Sequence, residues 1–185
     1  MPLTQFDDVA ALLVIDLHER FRDAKTIHPV KDVVSSAATL LEAFRESGRP
    51  VVLVRVNGHS PGRTDRPPST AAPASDQPLM PELDPQQSDL IVTKTSWGAF
   101  TGTGLAEWLT ARSVTQVVLV GIATSIGVES TARQAHEAGF NVVVVTDAVT
   151  DVNQTAHDNS LSWVFPRLAE TCSTEDVLVH LHGAT

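Results

Sequence analysis

A chain of 185 residues with 42% hydrophobic and 19% charged residues fits one compact domain whose interior needs no disulfide staples. Its formal charge of −9 argues against a nucleic-acid or anionic-membrane partner, and its single cysteine, Cys172, excludes an intramolecular disulfide and a cysteine-rich metal site. No window approaches 18 uninterrupted apolar residues, and the N-terminus lacks a basic region and a small-residue cleavage site. A cytoplasmic protein with a single domain over residues 1–185 is therefore expected.

The elements follow in chain order. AALLVID (10–16) reads as a buried strand, and residues 30–48 carry apolar positions at helical spacing up to a stop at Gly48. Strands are predicted over 50–56 and 89–94, a helix over 105–113, and a fourth strand over 116–122. A helix over 130–139 ends at Gly139, and NVVVVTD (141–147) is a fifth strand. Residues 154–170 are mostly helical, shortened or kinked by Pro166. DVLVH (176–180) is expected as a sixth strand, which leaves Cys172 between the last helix and the last strand as a half-buried structural thiol. Continuous Val/Leu/Ile runs imply strands buried on both faces, and strand–helix alternation implies a parallel sheet covered by helices on both sides. The fold class is α/β, three-layer α-β-α.

Residues 57–88 break this pattern with a Pro-, Ser-, Asp- and Gly-rich loop. It follows the second strand and so lies at the carboxyl edge of the sheet, where ligands bind in open α/β folds. A pocket wall or lid, a solvated insertion and a subunit contact all remain open for it.

Two charged residues end strands at that edge. Asp16 closes the first strand, where partial desolvation suits a carboxyl group to acid–base work, or where it caps neighbouring backbone N–H groups. Lys94 closes the third. At the ends of two adjacent buried strands the pair could meet, the lysine orienting the carboxylate and stabilising an anion formed nearby. The third candidate is the turn of GIATSIGVESTARQA, where a Gly and small hydroxyl residues link the fourth strand to a helix.

VIDLHERF around Asp16, VTKTSWGAF around Lys94 and the turn around Gly127 resemble, in order and spacing, the isochorismatase-like hydrolases, and the resemblance covers nearly the whole chain. It implies six mostly parallel strands in the order 3-2-1-4-5-6, a cis peptide at Ile122–Ala123, and a homodimer or homotetramer. In the amidase branch Asp, Lys and a nucleophilic Cys form a triad, but the Cys position here is Gly127, which cannot attack a carbonyl. Ser125 and Thr124 stand nearby on the turn. Nicotinamidases of the family hold a metal through an Asp-x-His pair, whereas this chain offers Asn57 and His59, so no metal and no cofactor are expected.

Isochorismatases proper resemble this chain in carrying Gly at that position after Ile or Val, as in Ile126–Gly127. Their chemistry implies Asp16 as the proton donor to a vinyl ether, with Lys94 orienting acid and substrate and Gly127 leaving room for a ring or a water. KTSWGAF, by contrast, is similar to the amidase branch. The expected function is non-covalent, acid-assisted hydrolysis of a small substrate of the isochorismate type. The alternatives are a C–N hydrolase scaffold whose cysteine is lost or replaced, and a catalytically silent ligand-binding or oligomeric member.

The substrate-binding candidates are Ala123 and Ser125 on the turn, with Asn57 and Arg63 in the loop, and backbone N–H groups around Ala123 and Gly127 would form an anion-binding edge. Arg63 is the cation proposed for a substrate carboxylate. Trp97 and Phe100 either wall the pocket or pack in the core. His18 and His157 read as structural hydrogen-bonding groups at its edge, and Glu129 with Arg133 as an i,i+4 ion pair.

Overall fold

The structure, a computed structural model, describes residues 3–58, 60, 62–65 and 78–183. Its regular elements are β1 (Ala10–Ile15), α1 (Val30–Glu46), β2 (Val51–Val56), β3 (Leu90–Lys94), α2 (Leu105–Thr110), β4 (Gln116–Ile122), α3 (Glu129–Glu137), β5 (Asn141–Thr150), α4 (Gln154–Asn159), β6 (Glu170–Cys172) and α5 (Thr174–His182). The strands form one parallel sheet in the order β3-β2-β1-β4-β5-β6, as the family resemblance implies. Among the described residues no helix is long and apolar enough to cross a membrane.

Successive strand residues point to opposite faces, so an unbroken apolar run fills two cores at once. In β1, Leu12 and Val14 join Leu40, Leu41 and Phe44 of α1 and Val177 and Leu181 of α5. Leu13 and Ile15 join Leu105 and Leu109 of α2, Ala132 of α3 and Phe165 on the other face. Both central strands, β1 and β4, are buried throughout. Gly121 of β4 pairs with Ile15 of β1; it has φ +123°, and a Cβ there would stand 2.1 Å from the Ile15 carbonyl oxygen, so only glycine fits. The Ile122–Ala123 peptide bond is cis, at the position expected.

The C-terminal end differs from the sequence expectation. DVLVH is part of α5, and the sixth strand is the shorter ETC segment before it, so Cys172 lies within β6 and is buried. The reason is a capping box. Ser173 Oγ accepts the Asp176 N–H (3.1 Å), while the Ser173 N–H and hydroxyl both donate to Asp176 Oδ2 (2.8 Å each). Val177 and Leu181, four residues apart, then bury one helical stripe and leave Val179 exposed. Pro166 stands in a short 3-10 turn, Phe165–Arg167, that follows α4 and a wide helical turn at Ser160–Val164.

The described end of the long loop is tied to the segment after β1. Leu79 forms an antiparallel bridge with His18, the Glu19 N–H donates to the Pro78 carbonyl and the Met80 N–H to that of Leu17 (3.0 Å each). Met80 and Leu83 are buried beneath this contact.

Candidate active site

Asp16 follows the last residue of β1 with φ 54°, the left-handed region that costs a non-glycine residue roughly 1–2 kcal/mol and that Asp tolerates better than most. Its N–H donates to Val54 of β2, and its carboxylate turns to the carboxyl edge of the sheet. Lys94 ends β3. The two parent strands are not adjacent, as the sequence suggested, because β2 lies between them. Two strand spacings are about 9.6 Å, and the extended lysine side chain bridges this gap. Nζ stands 2.8 Å from Asp16 Oδ2 and donates to the Trp97 carbonyl (2.6 Å). Both side chains are buried, Lys94 at 1% and Asp16 at 10% side-chain exposure. Such a pair survives desolvation because each charge has a close partner.

The other carboxylate oxygen, Oδ1, is buried without a hydrogen-bond partner among the described residues. His18 approaches it at 3.8 Å through Nε2, but that nitrogen already accepts the Val56 N–H (3.2 Å). An accepting nitrogen carries no proton, so it has none to donate to Asp16. Oδ1 therefore retains capacity for one further hydrogen bond, to a proton or to a ligand.

Across from this pair runs the turn after β4, a wide helical turn at Thr124–Val128. The Gly127 α-carbon faces the carboxylate, and a Cβ there would lie 3.1 Å from Asp16 Oδ2 and 3.1 Å from Ile15 Cγ2. Neighbouring groups of the turn are committed elsewhere. Ser125 donates both its N–H and its hydroxyl to Asp151 Oδ2 (2.8 Å each), and the amides of Ile126 and Val128 donate to the Ala123 carbonyl. These three amides are thus satisfied within the protein, which narrows any anion-binding edge to the remaining N–H groups of the turn. Asp151 Oδ1 also accepts the amides of Val152 and Asn153, so this buried carboxylate fastens the turn to the end of β5. The buried Thr124 hydroxyl lies 2.9 Å from His157 Nδ1, and His157 meets His28 edge to face. Burial, reinforced by His28, holds the His157 imidazole below its ordinary 6.5.

The resulting pocket has a volume of about 310 Å³. It brings together five of the residues singled out in the sequence: Asp16, Lys94, Gly127, Ala123 and Trp97. The other four stand outside its lining. Ser125 faces Asp151; Phe100 is half-buried with its ring 5.9 Å from that of Phe140; the Asn57 N–H donates to the Lys94 carbonyl; Arg63 is exposed. His59 lies outside the described residues. Asn57 offers a neutral amide where an Asp-x-His pair would supply a carboxylate, so the donor set does not fit the nicotinamidase metal. Sequence reasoning missed Arg20, Phe21, Ile126 and Val152, which also line the pocket. Arg20 and Phe21 were legible as part of VIDLHERF, but a charged pair next to an aromatic residue gives no sign of which way it faces.

The Isochorismatase domain model matches residues 10–176. The isochorismatase family protein YecD of Escherichia coli O157:H7 is 41% identical over 180 residues, covering 91% of this chain and 94% of the relative. Nicotinamidase 3 of Arabidopsis thaliana is 30% identical, covering 83% and 79%, and Isochorismatase of Bacillus subtilis (strain 168) 29% identical, covering 95% and 59%. The solved structure of an isochorismatase family protein from Burkholderia thailandensis superposes with a TM-score of 0.91 at 39% identity, covering 98% of each chain. The six-stranded parallel sheet flanked by helices is the isochorismatase α/β fold, and the chain belongs to the isochorismatase family of hydrolases.

Proposed function

We propose that the pocket performs non-covalent, acid-assisted hydrolysis of a small vinyl ether of the isochorismate type. The observation that carries this reading is the buried Asp16–Lys94 pair facing the bare α-carbon of Gly127. The one cysteine of the chain is distant in β6, where burial pushes its thiol up to about 12 and keeps it protonated. Ser96, the hydroxyl residue after Lys94 and Thr95, donates to the Gly98 carbonyl. In the proposed reaction the acid form of Asp16, with its proton on Oδ1 while Lys94 holds Oδ2, delivers that proton to the methylene carbon of the enol ether, and the ether carbon becomes an oxocarbenium ion. Water adds to that carbon and loses a proton, and the hemiketal collapses to pyruvate and an alcohol. Lys94 fixes the carboxyl group through Oδ2. The absent side chain at position 127 leaves space for substrate beside the acid.

A second reading has its own support: KTSWGAF and the similarity to a nicotinamidase point to an amide-hydrolysing ancestor that lost its thiol. The 3.1 Å clearances at Gly127 would admit a Cβ after shifts of a few tenths of an ångström. Incubation of the wild-type protein with isochorismate separates the two. Pyruvate release is expected; folded protein that releases none, while Gly127→Cys gains hydrolysis of nicotinamide, supports the lost-thiol reading instead.

A further inference from the structure

The charges that line the pocket are not equivalent. Lys94 is buried and already engaged, by Asp16 at 2.8 Å and by the Trp97 carbonyl. Arg20 is an exposed residue of the lining, with its guanidinium carbon 4.5 Å from the centroid of the Phe21 ring. No carboxylate lies within ion-pair distance of it among the described residues. Its near neighbour Arg22, by contrast, is saturated by Glu19 (2.6 Å) and Glu82 (2.7 Å). Stacking on Phe21 occupies the face of the Arg20 guanidinium and leaves its N–H edge for a ligand.

The backbone holding Arg20 is fixed relative to Asp16. The Phe21 N–H donates to the His18 carbonyl, the Glu19 N–H to that of Pro78, and the Phe21 ring packs edge-on against His18 at 6.3 Å. The Arg22–Glu82 bridge ties the same segment to the end of the long loop. Of the remaining exposed lining, Trp97 (64% exposed), Val152 (65%) and Ile126 (36%) are apolar, and Gly58 and the hydroxyl residue Thr95 complete it.

We infer that Arg20 is the specificity-determining residue of this pocket and selects a small carboxylate with an apolar body. The inference rests on the reading of the pocket as the substrate site, but not on the reaction carried out there. A planar guanidinium edge matches a carboxylate in a two-pronged geometry. The exposed guanidinium edge suits one carboxylate group, and a mainly apolar mouth suits a ring or short hydrocarbon. A volume of about 310 Å³ stands at the small end of ligand sites, enough for a single ring.

The test is equilibrium binding at low salt, which requires no turnover, of benzoate, benzamide and phenyl phosphate to the wild type, Arg20→Gln, Arg20→Lys and Arg63→Gln. The inference expects saturable benzoate binding, about tenfold tighter than benzamide, the discrimination that a charge-assisted hydrogen-bonded pair gives at a partly exposed site. Arg20→Gln should remove the preference and Arg20→Lys should keep part of it. No saturable benzoate binding, equal binding of benzamide, or a preference that survives Arg20→Gln would overturn it. So would loss of the preference in Arg63→Gln alone, which assigns the cation to the loop, or tighter binding of phenyl phosphate, which assigns the site to phosphates. Because no reaction is scored, failure here leaves pyruvate release untouched, and failure to release pyruvate leaves this result standing.

Discussion

Two glycines with opposite constraints decide how the sheet edge is built. At Gly121 the β1 backbone blocks any side chain, and the left-handed φ adds to the clash. Gly121→Ala is expected to cost about 3 kcal/mol or more, read as a lower urea midpoint with an unchanged slope. At Gly127 the nearest atoms are side-chain atoms of Asp16 and Ile15, which can give way. Gly127→Ala should therefore cost under about 1.5 kcal/mol in the same titration, while narrowing the pocket. Glycine at 127 is thus a choice about the site, whereas glycine at 121 is a requirement of the fold. Sequence alone signalled the first through its motif and gave no sign of the second, because the close approach of two backbones depends on pairing register. The same limit applies to Arg20 and Arg63: the sequence offered Arg63 as the cation for a substrate carboxylate and did not single out Arg20, and only the tertiary path of the chain after β1 sets Arg20 against the pocket.

The turn after β4 is held by the element that follows it. The Asp151 carboxylate, just after β5, accepts four hydrogen bonds, three from backbone amides and one from the Ser125 hydroxyl, and fixes the turn that carries Gly127. Beneath it, the Thr124–His157 contact joins the turn to α4. Burial favours neutral His157 in the folded protein, so the unfolded chain binds more protons between the lowered folded value and 6.5. Stability should consequently fall as pH drops below 6.5 through that window. The urea midpoint at pH 7.5 and at pH 5 measures the fall, and His157→Gln should reduce the difference between the two. At the last element the sequence reading failed for a definable reason. DVLVH has strand-like composition, but S-T-E-D before it closes a capping box, and Val177 and Leu181 bury at helical spacing. Local capping outweighed β-propensity, which is the weaker of the two signals in a short exposed segment.

The architecture was legible across most of the molecule because the doubly buried strands are unbroken apolar runs and the helices between them keep a regular spacing. Strand order entered through the family resemblance rather than through periodicity, and periodicity alone set Asp16 and Lys94 on adjacent strands. The sheet corrects this: Lys94 reaches across β2, so the ion pair depends on the length of a lysine side chain and on the closed layer beneath it. Lys94→Ala should strand a buried carboxylate and cost about 3–5 kcal/mol, measured by urea unfolding. Replacing the acid is the sharper probe of chemistry, because Asn preserves the shape of Asp while removing its transferable proton, together with the carboxylate that faces Lys94. The decisive measurement is kcat for pyruvate release from isochorismate in Asp16→Asn, made below the unfolding temperature of both proteins and with circular dichroism confirming the fold. General acid catalysis by Asp16 predicts a loss of at least about 100-fold; a folded variant that keeps kcat within tenfold of wild type would contradict it.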